Sequence, residues 1–300
     1  MQLSKYDIID NDNFNNNQEN NYITDKDDDQ EILQLYNKHK RDNNFNPFLV
    51  YLLFDDFASM RPKENIDLIG LQNEFTPRLV HLLTMKHVKH LKSFRLRSLL
   101  KKNNNAHYVN STEAFIKTKS LFEMFNHDTC IWSKLKDLDI SYIDSVNNKL
   151  LISIGQTCPA LQSINISNIT NVNDISLKNL GKKRPGIQRW VLKNCKNVSN
   201  LGIKYIVDIC KDNLRSLEVG GKESRVDDGG ILYLSKHAHK LEELNCSENK
   251  LVTDISMADI TSNSRLQQIY FSRNNSIDGS LCNYLSKLKK ITTLDLSYCS

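Results

Sequence analysis

Histidines and cysteines are the residues of this sequence that first suggest metal chemistry. His87 and His90 stand at the i, i+3 spacing of a helix, and His127 precedes Cys130 by three residues. His81 lies nearby. Protein zinc sites commonly take about four ligands, often as two matched pairs. The sequence has no CxxC or HExxH pattern to supply a second pair, so we expect no metal and no other cofactor.

The seven cysteines are also candidate nucleophiles, because a thiolate near a histidine or a helix N-terminus can attack a substrate. Four of them recur at interior positions of the repeat described below, where a small apolar side chain fills the core: Cys158, Cys195, Cys210 and Cys299. Cys130 lies outside that pattern. An odd number of scattered cysteines does not suit a disulfide framework. We expect reduced, buried thiols without a catalytic role.

Phosphate-binding loops and catalytic carboxylate pairs have no match either. The stretch VGGKES at residues 219–224 lacks the GxxxxGK[ST] spacing, and neither GxGxxG nor GxSxG occurs. The acidic pairs at 55–56 and 227–228 suit a solvated helix end and a helix cap better than a catalytic pair. The sequence therefore predicts a protein that is not an enzyme.

Length and composition limit the class of protein. The chain has 300 residues, 39% hydrophobic and 25% charged, with 10 glycines and 5 prolines, so it can build a core but holds few of the turns of a large β-sandwich. No apolar run approaches the roughly 18 to 20 residues that cross a bilayer. The first residues also lack the pattern of a signal peptide. We expect a cytoplasmic and/or nuclear protein without membrane insertion.

Charge is distributed unevenly along the chain. Residues 1–45 hold five basic and ten acidic residues, a net charge of −5, which leaves +10 for the rest of a chain whose formal charge is +5. Much of this segment is Asn, Asp, Gln and Glu without an apolar pattern. We predict a disordered Asn/Asp-rich tail over residues 1–45. An acidic tail that folds back weakly on the basic body is the functional alternative.

A repeated apolar pattern determines the predicted fold. From residue 135 onward a triplet of the form LxxLxL occurs seven times, at offsets of 26, 26, 27, 27, 25 and 25 residues. The triplets begin at Leu135, Leu161, Ile187, Leu214, Leu241, Leu266 and Ile291. Apolar residues at helical spacing follow, as in VTDISMADI, where Asp254 can cap a helix; Asp174 and Asp227 stand in the same place. Each repeat is therefore predicted as a strand and a helix that bury their apolar residues against neighbouring repeats.

These repeats resemble those of the cysteine-containing leucine-rich repeat family, found in F-box/leucine-rich-repeat proteins, with the unit LxxLxLxxCxxVTDxGLxxLxxxCPxL. LKNCKNVSNLGIKYIVDICKDNL carries Cys195 and Cys210 at the two cysteine positions, and LISIGQTCPAL supplies Cys158 and Pro159. Five units have another residue at the first cysteine position: Ile143, Ile169, Lys222, Asn249 and Asn274. The resemblance implies an α/β leucine-rich repeat solenoid of the ribonuclease-inhibitor-like type. Such a solenoid is a right-handed curved horseshoe with parallel strands on the concave face and helices on the convex face.

The resemblance covers residues 91–300, which we assign to the repeats. Leu91, Phe94 and Leu96 predict an earlier strand, and the 44 residues from Leu91 to Leu135 fit one unit with a surface insertion around KKNNNAHYVNS. Residues 46–90 are predicted as a short helical N-terminal cap with a degenerate F-box-like character. The sequence stops at Ser300 directly after a strand, so we expect a truncated chain or a partner that covers this edge.

The solenoid geometry predicts which side chains face a partner. Alternate strand residues point outward, and the resulting strip mixes both charge signs with Tyr and Arg, which commonly anchor protein interfaces. We predict a protein-binding concave face made of Arg95, Arg97, Asp137, Asp139, Tyr142, Asn165, Arg189, Val191, Lys193, Glu218, Glu243, Asn245, Gln268, Tyr270, Arg273, Asp295 and Tyr298.

A second strip is basic. Residues 81–105 carry seven Lys or Arg residues and no acidic one, and the turns into later strands add Lys182, Lys183, Arg184, Lys236, Lys240, Lys287, Lys289 and Lys290. On one edge of the coil these residues would attract an acidic partner. Nucleic acid is not expected there, because these turns lack interleaved aromatic residues. Ordinary solubilising charge is the simpler alternative.

The family resemblance implies a non-enzymatic protein recognition module, and more specifically a substrate receptor or adaptor of an SCF-type ubiquitin ligase in ubiquitin-dependent protein degradation. In that arrangement Phe48, Leu49 and Leu52 of NPFLVYLLFDDF would bind the ligase adaptor. The later VCKxW-like part of an F-box has no match in NIDLIGLQNEFTPRLVHLL. The alternatives are a regulatory leucine-rich-repeat scaffold without a ligase link, and a binder of an acidic partner through the basic edge.

Overall fold

The computed structural model describes residues 65–67, 91–96, 100–102, 108–110, 125, 132–143, 145–260, 265–277 and 290–299. All of these residues belong to one unit of the chain, Tyr51–Ser300. The predicted tail over residues 1–45 lies outside them, as do Phe48, Leu49 and Leu52. Within these ranges no helix has both the length and the apolar character to span a membrane.

A parallel sheet of nine short strands runs through the structure, and each strand pairs with the next strand of the sheet along the chain. A separate antiparallel hairpin is formed by two further strands. In chain order the strands are β1 (Asn65–Asp67), β2 (Ser93–Arg95), β3 (Leu100–Lys102) and β4 (Tyr108–Asn110) of the hairpin, β5 (Asp137–Asp139), β6 (Ser163–Asn165), β7 (Arg189–Val191), β8 (Ser216–Glu218), β9 (Glu243–Asn245), β10 (Gln268–Tyr270) and β11 (Thr293–Asp295).

The apolar triplets explain the position and register of the strands. The middle residue of each strand from β5 to β11 is the second apolar residue of a triplet, and equivalent residues pair, as Ile164 does with Trp190. From β5 to β10 these middle residues are at most 2% exposed. Leu294 in β11 is 39% exposed, and no described strand lies beyond it. The core is therefore a stack in which each unit covers the apolar residues of the one before.

Five described helices follow strands β5 to β9 and pack side by side in chain order. They are α1 (Asn148–Thr157), α2 (Asp174–Lys183), α3 (Asn200–Cys210), α4 (Asp228–His237) and α5 (Asp254–Ile260). Their apolar stripes are buried: Leu150 and Ile154 in α1 and Ile203 in α3 are all fully covered. The alternation of strand and helix that the repeats predict is confirmed over this part of the chain.

The structure confirms one of the three predicted helix caps and corrects the other two. Asp227 does cap α4, because its carboxylate accepts the backbone N–H of Gly229 at 2.8 Å. The prediction is wrong for Asp174, which is the first residue of α2. The cap of that helix is Asn173, whose side chain accepts the N–H of Ser176 at 3.1 Å.

The aspartates at the first helical position instead link one repeat to the next. Asp174 accepts the backbone N–H and the hydroxyl of Ser199 at 2.8 and 2.7 Å, and Ser199 is the cap of the following helix. Asp228 binds Thr253 in the same way, at 2.8 and 2.6 Å. Asp254 is likewise the first residue of α5 rather than its predicted cap. The carboxylates of Asp174 and Asp228 therefore join the starts of neighbouring helices.

The sheet begins earlier in the chain than the repeat pattern indicates. Residues Asn65–Asp67 form β1 and pair in parallel with β2, so the segment 46–90, predicted as a helical cap, contains a strand of the sheet. The hairpin of β3 and β4 coincides with the insertion expected around KKNNNAHYVNS. The antiparallel hairpin of β3 and β4 therefore occupies part of the long segment between Leu91 and Leu135.

The turn after each strand places one residue in the left-handed backbone region. This residue is the eighth of every repeat, and its φ is 62° at Tyr142, 58° at Asn168, 57° at Asn194, 103° at Gly221, 64° at Glu248, 60° at Arg273 and 60° at Tyr298. Asn and Gly adopt this conformation readily, whereas larger side chains pay about 1 kcal/mol for it. Four of the seven turns therefore carry a residue that the backbone does not favour.

Replacing Tyr142 with asparagine is expected to raise the free energy of unfolding by about 0.5–1 kcal/mol, because asparagine tolerates the left-handed conformation better. Urea denaturation followed by circular dichroism measures the change. Lys136→Asn is the matched control, since Lys136 is exposed and its φ is not positive. Equal stabilisation by both substitutions would contradict the backbone explanation.

Candidate protein-binding surface

The outward side chains of the strands form one continuous surface, which we call the outer face of the sheet. In each three-residue strand the middle side chain points to the helices, so the first and third residues point away from them. Arg95 and Asp137 are exposed on this face. Arg97, predicted to lie beside them, is outside the described residues.

Four of the predicted contact residues help to end their own strands. The side chains of Asp139, Asn165, Asn245 and Asp295 each accept the backbone N–H two residues further on, at 3.0, 3.1, 2.9 and 3.0 Å. This is the Asx turn, in which the side chain replaces a backbone acceptor. At Asp295 the hydroxyl and backbone N–H of Ser297 hold the pKa of the carboxyl below its usual value. These four side chains are therefore partly committed to the fold.

Three of the seven strands from β5 to β11 end differently. Strand β7 ends in Val191, β8 in Glu218 and β10 in Tyr270, none of which forms an Asx turn. Val191 is only 8% exposed and offers a partner little surface. Glu218 and Tyr270 are half-buried on the outer face. The third residues that the fold does not use for its turns thus lie on β7, β8 and β10.

Five charged side chains lie together on and just after strands β7, β8 and β9. We call them the charged cluster: Arg189, Lys193, Glu218, Glu243 and Glu248. Nη1 of Arg189 lies 3.2 Å from Oε2 of Glu243, two strands away, and Ser216 donates its hydroxyl to the same oxygen at 2.7 Å. Nζ of Lys193 lies 3.1 Å from Oε1 of Glu248. The cations belong to the repeat of β7 and the carboxylates to the next two repeats, so the cluster is positive on one side and negative on the other.

Glu218 stands between the two signs of charge. Burial raises the pKa of its carboxyl; the positive charges of Lys193 and Arg189 oppose that shift, and the negative charge of Glu243 adds to it. Within the described part of the chain no donor forms a hydrogen bond with this carboxylate. A basic group of a partner could approach it without breaking an existing bond.

Sequence analysis missed Glu248 as a member of this cluster. It occupies the left-handed turn position, at which Tyr142, Arg273 and Tyr298 of other repeats were predicted as contacts. That shared position is the signal that could have found it. The structure thus brings Arg189, Lys193, Glu218 and Glu243 together as predicted for one surface and adds Glu248 to them.

An exposed arginine and tyrosine stack at one end of the outer face. Cζ of Arg273 lies 5.3 Å from the centre of the Tyr298 ring, and Tyr298 is 77% exposed. The hydroxyl of Tyr270 donates to Gln268 at 3.1 Å. A cation–π pair at an exposed site contributes only about 0.5–1 kcal/mol. These large side chains therefore remain available for contact with another molecule.

Three of the four cysteines predicted at interior positions lie in the core, whereas the fourth, Cys299, is only half-buried. Cys158, Cys195 and Cys210 are buried, and so is Cys246, which stands outside the two cysteine positions of the repeat. The thiol of Cys195 donates to the carbonyl oxygen of Ile166 in the preceding repeat at 3.2 Å. Asn274, which replaces the cysteine in its own repeat, donates similarly to the carbonyl of Cys246 at 3.0 Å. This position supplies a hydrogen bond between repeats.

The buried thiols are expected to be unreactive in the folded protein. Burial raises the pKa of Cys158 and Cys210 to about 12 and that of Cys195 to about 11, and the thiolate is the reactive form. We expect these three to resist iodoacetamide at pH 8, and the partly exposed Cys299 to react faster. Mass mapping of peptides after timed alkylation, with urea-unfolded protein as control, measures the rates. Rapid labelling of Cys158 or Cys210 before unfolding would contradict this.

The metal candidates of the sequence receive no structural description. His81, His87, His90, His127 and Cys130 all lie outside the described residues. Within the ranges that the structure describes, no group of three or more His, Cys, Asp or Glu side chains is placed to hold a metal ion.

Comparison with known proteins identifies the fold. No family model matches the sequence, and no curated protein matches it. A chain of the crystal structure of the Rad7 and Elc1 complex in yeast is similar with a TM-score of 0.50 and 16% identity, over 78% of this chain and 62% of that chain. This chain thus spans less than two thirds of the length of that one.

Two further structures are similar at lower scores. The tropomodulin C-terminal domain of Caenorhabditis elegans has a TM-score of 0.37 and 14% identity, over 47% of this chain and 90% of that domain. The internalin InlF of Listeria monocytogenes has a TM-score of 0.40 and 14% identity, over 71% of this chain and 56% of that one. The parallel sheet, the strand–helix alternation and the likeness in the yeast complex confirm the predicted class, an α/β leucine-rich repeat solenoid.

Proposed function

We propose that this chain is a non-enzymatic protein recognition module that binds a protein partner on the outer face of its sheet. The observation that carries the proposal is the charged cluster, whose five side chains lie on or beside β7, β8 and β9 and none of which forms an Asx turn. A repeat protein holds its strands through backbone pairing and the buried triplets. The outward charges are therefore not needed to hold the strands together.

The stability that these ion pairs supply is small. The side chains of Arg189 and Glu243 are 45% and 24% exposed, and those of Lys193 and Glu248 are 33% and 24% exposed. Ion pairs at such exposure typically contribute about 0–1 kcal/mol. A partner that carries the opposite charge at each of these positions would be oriented by the same residues, and other partners would be rejected by them. The exposed Arg273 and Tyr298 add residue types that are frequent at the energetic centres of interfaces.

Charge reversal on the outer face tests this proposal. We expect the double substitution R189E/K193E to reduce recovery of the proteins that cross-link to the full chain in cells by at least about tenfold. K149E/K196E is the matched control, because both lysines are exposed, lie off the outer face and change the net charge equally. Circular dichroism confirms that both variants fold. Equal partner recovery by wild type and R189E/K193E would contradict the proposal.

The more specific proposal is a substrate receptor or adaptor of an SCF-type ubiquitin ligase. It is supported by the resemblance of the repeats to those of F-box/leucine-rich-repeat proteins. A solved structure of similar fold is a complex of two proteins, Rad7 and Elc1. In this arrangement residues 46–90 bind the ligase adaptor and the outer face holds the target.

Adaptor binding is tested separately from target binding. Under the ligase proposal, the full chain co-purifies with the ligase adaptor, and the triple substitution Phe48→Ser, Leu49→Ser and Leu52→Ser removes that contact. The substitution R189E/K193E leaves adaptor binding unchanged, since it alters only the outer face. If no adaptor co-purifies while the outer face still binds a partner, the chain is a regulatory scaffold without a ligase link.

A further inference from the structure

The helices end, and the next strands begin, along one edge of the solenoid. All strands of the sheet run in parallel and each described helix follows its strand, so every helix C-terminus lies at this edge. Hydrogen bonds between neighbouring repeats also join residues near the helix C-termini along this edge. Nη2 of Arg184 donates to the carbonyl oxygen of Gln156 at 3.1 Å, and Nδ2 of Asn213 donates to that of Pro185 at 3.1 Å.

Two groups of basic residues stand on this edge. The first group begins in the last turn of α2 and contains Lys182, Lys183 and Arg184. The second group begins in the last turn of α4 and contains Lys236, His237, His239 and Lys240. Arg184 and Lys240 are half-buried, and the other five side chains are exposed. Within the described part of the chain none of the four lysines takes part in an ion pair. By contrast, Arg189 and Lys193 of the outer face are both paired.

The helix between the two groups ends in a different way. Asp208, Lys211 and Asp212 are exposed at the end of α3, so this stretch carries one positive and two negative charges. Beside it, Arg215 is already paired with Glu242 at 2.5 Å. Neighbouring packed helices lie about 8–10 Å apart, so the two basic groups are about 16–20 Å apart. The edge is thus positive, weakly negative and positive again.

Stabilisation of the helix ends does not account for this arrangement. A cation in the last turn interacts favourably with the helix dipole, but the effect is about 0.3–1 kcal/mol and is confined to that turn. Helices α1 and α3 end without any basic residue in the last turn. Helix α5 also has none there, whereas α2 and α4 carry basic residues both in the last turn and beyond it. The four lysines of the two groups therefore supply more positive charge than stabilisation of the helix ends requires.

We infer that this edge binds an acidic protein segment that carries two groups of Asp or Glu residues, one for each basic group. An extended chain rises about 3.3 Å per residue, so about five or six residues separate the two acidic groups. The intervening residues cross the end of α3 and carry no negative charge there, because Asp208 and Asp212 would repel it. A nucleic acid fits less well, since its phosphates are continuous and some would lie against these carboxylates.

Synthetic peptides test the inference with the full chain. The probe is a fluorescein-labelled peptide with two blocks of three glutamates separated by six Gly/Ser residues, and binding is measured by fluorescence anisotropy at low and at physiological salt. We expect it to bind about tenfold more tightly than the same peptide with a two-residue separator, because only the longer one reaches both groups. A peptide with Gln in place of Glu should not bind.

Variants of the protein assign the binding to the edge. We expect K182E/K183E and K236E/K240E each to weaken binding of the six-residue-separator peptide by about tenfold. K196E/K250E is the matched control: it makes the same charge change at exposed lysines on the opposite edge, between strand and helix, and should change binding less than about twofold. The neutral variants K182Q/K183Q and K236Q/K240Q give a second test if a reversal impairs folding.

Three results would overturn the inference. One is no binding of the probe to the wild-type chain at low salt. Another is an equal loss of binding in the control and in both edge variants, which would mean that net charge alone attracts the peptide. The third is tighter binding of a six-phosphate single-stranded oligonucleotide than of the peptide, with loss in the same edge variants, which would make this edge a nucleic-acid surface.

Discussion

Replacing Trp190 with alanine is expected to lower the free energy of unfolding by about 4 kcal/mol. The indole is fully buried at the middle of β7, where the neighbouring strands have Ile164 and Leu217. Removing an aromatic side chain from a core loses its transfer free energy and leaves a cavity, at a cost of about 3–5 kcal/mol. Urea denaturation followed by circular dichroism measures the effect, and Trp132 remains as a fluorescent probe of unfolding.

Phenylalanine at the same position separates packing from hydrogen bonding. Nε1 of Trp190 is buried and interacts weakly with the thiol of Cys210, a contact that lowers the pKa of this thiol against the larger rise caused by burial. Trp190→Phe removes this weakly paired donor while it keeps most of the apolar volume, so we expect a loss of only about 1–2 kcal/mol. A loss as large as that of the alanine variant would show that the indole N–H is important to the core. The first and third residues of β7 belong to the outer face, so the alanine variant should also weaken partner binding.

Replacing Asp228 with alanine is expected to cost about 2–3 kcal/mol, although the residue is only half-buried. Its carboxylate accepts the N–H and the hydroxyl of Thr253 and also the hydroxyl of Ser256. Hydrogen bonds to a charged group contribute about 1.5–3 kcal/mol, and their loss leaves donors of the next repeat unpaired. The change in free energy of unfolding is measured with urea.

Two further substitutions define what Asp228 contributes. Asp228→Asn keeps the shape and one acceptor oxygen, so we expect an intermediate loss of about 1–2 kcal/mol. Asp212→Ala is the control, since Asp212 is exposed and forms no hydrogen bond within the described residues. An equal loss in Asp212→Ala and Asp228→Ala would show that net charge, and not the link between repeats, determines stability.

The strands and helices could be predicted from the sequence because their cause is local and repeated. An apolar triplet at 25 to 27 residue spacing has only one way to bury its side chains against equal neighbours, and the structure places every middle residue from β5 to β10 in the core. The strand β1 could not be predicted in this way. Its sequence, NID, has a single apolar residue, and its pairing with β2 depends on the neighbouring strand.

Helix caps and the roles of outward residues were harder to predict because they depend on contacts with other residues and not on the local pattern alone. Aspartate suits both the cap position and the first helical position, and the contact that decides between them comes from the next repeat, as between Asp174 and Ser199. The outward position of Asn165 and Asp295 was correctly expected, but their Asx turns were not, because the bond depends on the backbone two residues later. Position in a strand alone does not distinguish a turn acceptor from a free contact residue.

The left-handed turn recurs at the eighth residue of all seven repeats, whatever side chain stands there. Each unit therefore contains its own means of reversing the chain and joins its neighbour through the same backbone geometry. Deleting or duplicating one complete unit of 25 to 27 residues would bring equivalent backbones into contact, whereas adding two or three residues inside a strand would disturb every pairing beside it. Such an array can change in length by whole units, and with it the span of partner that it accommodates.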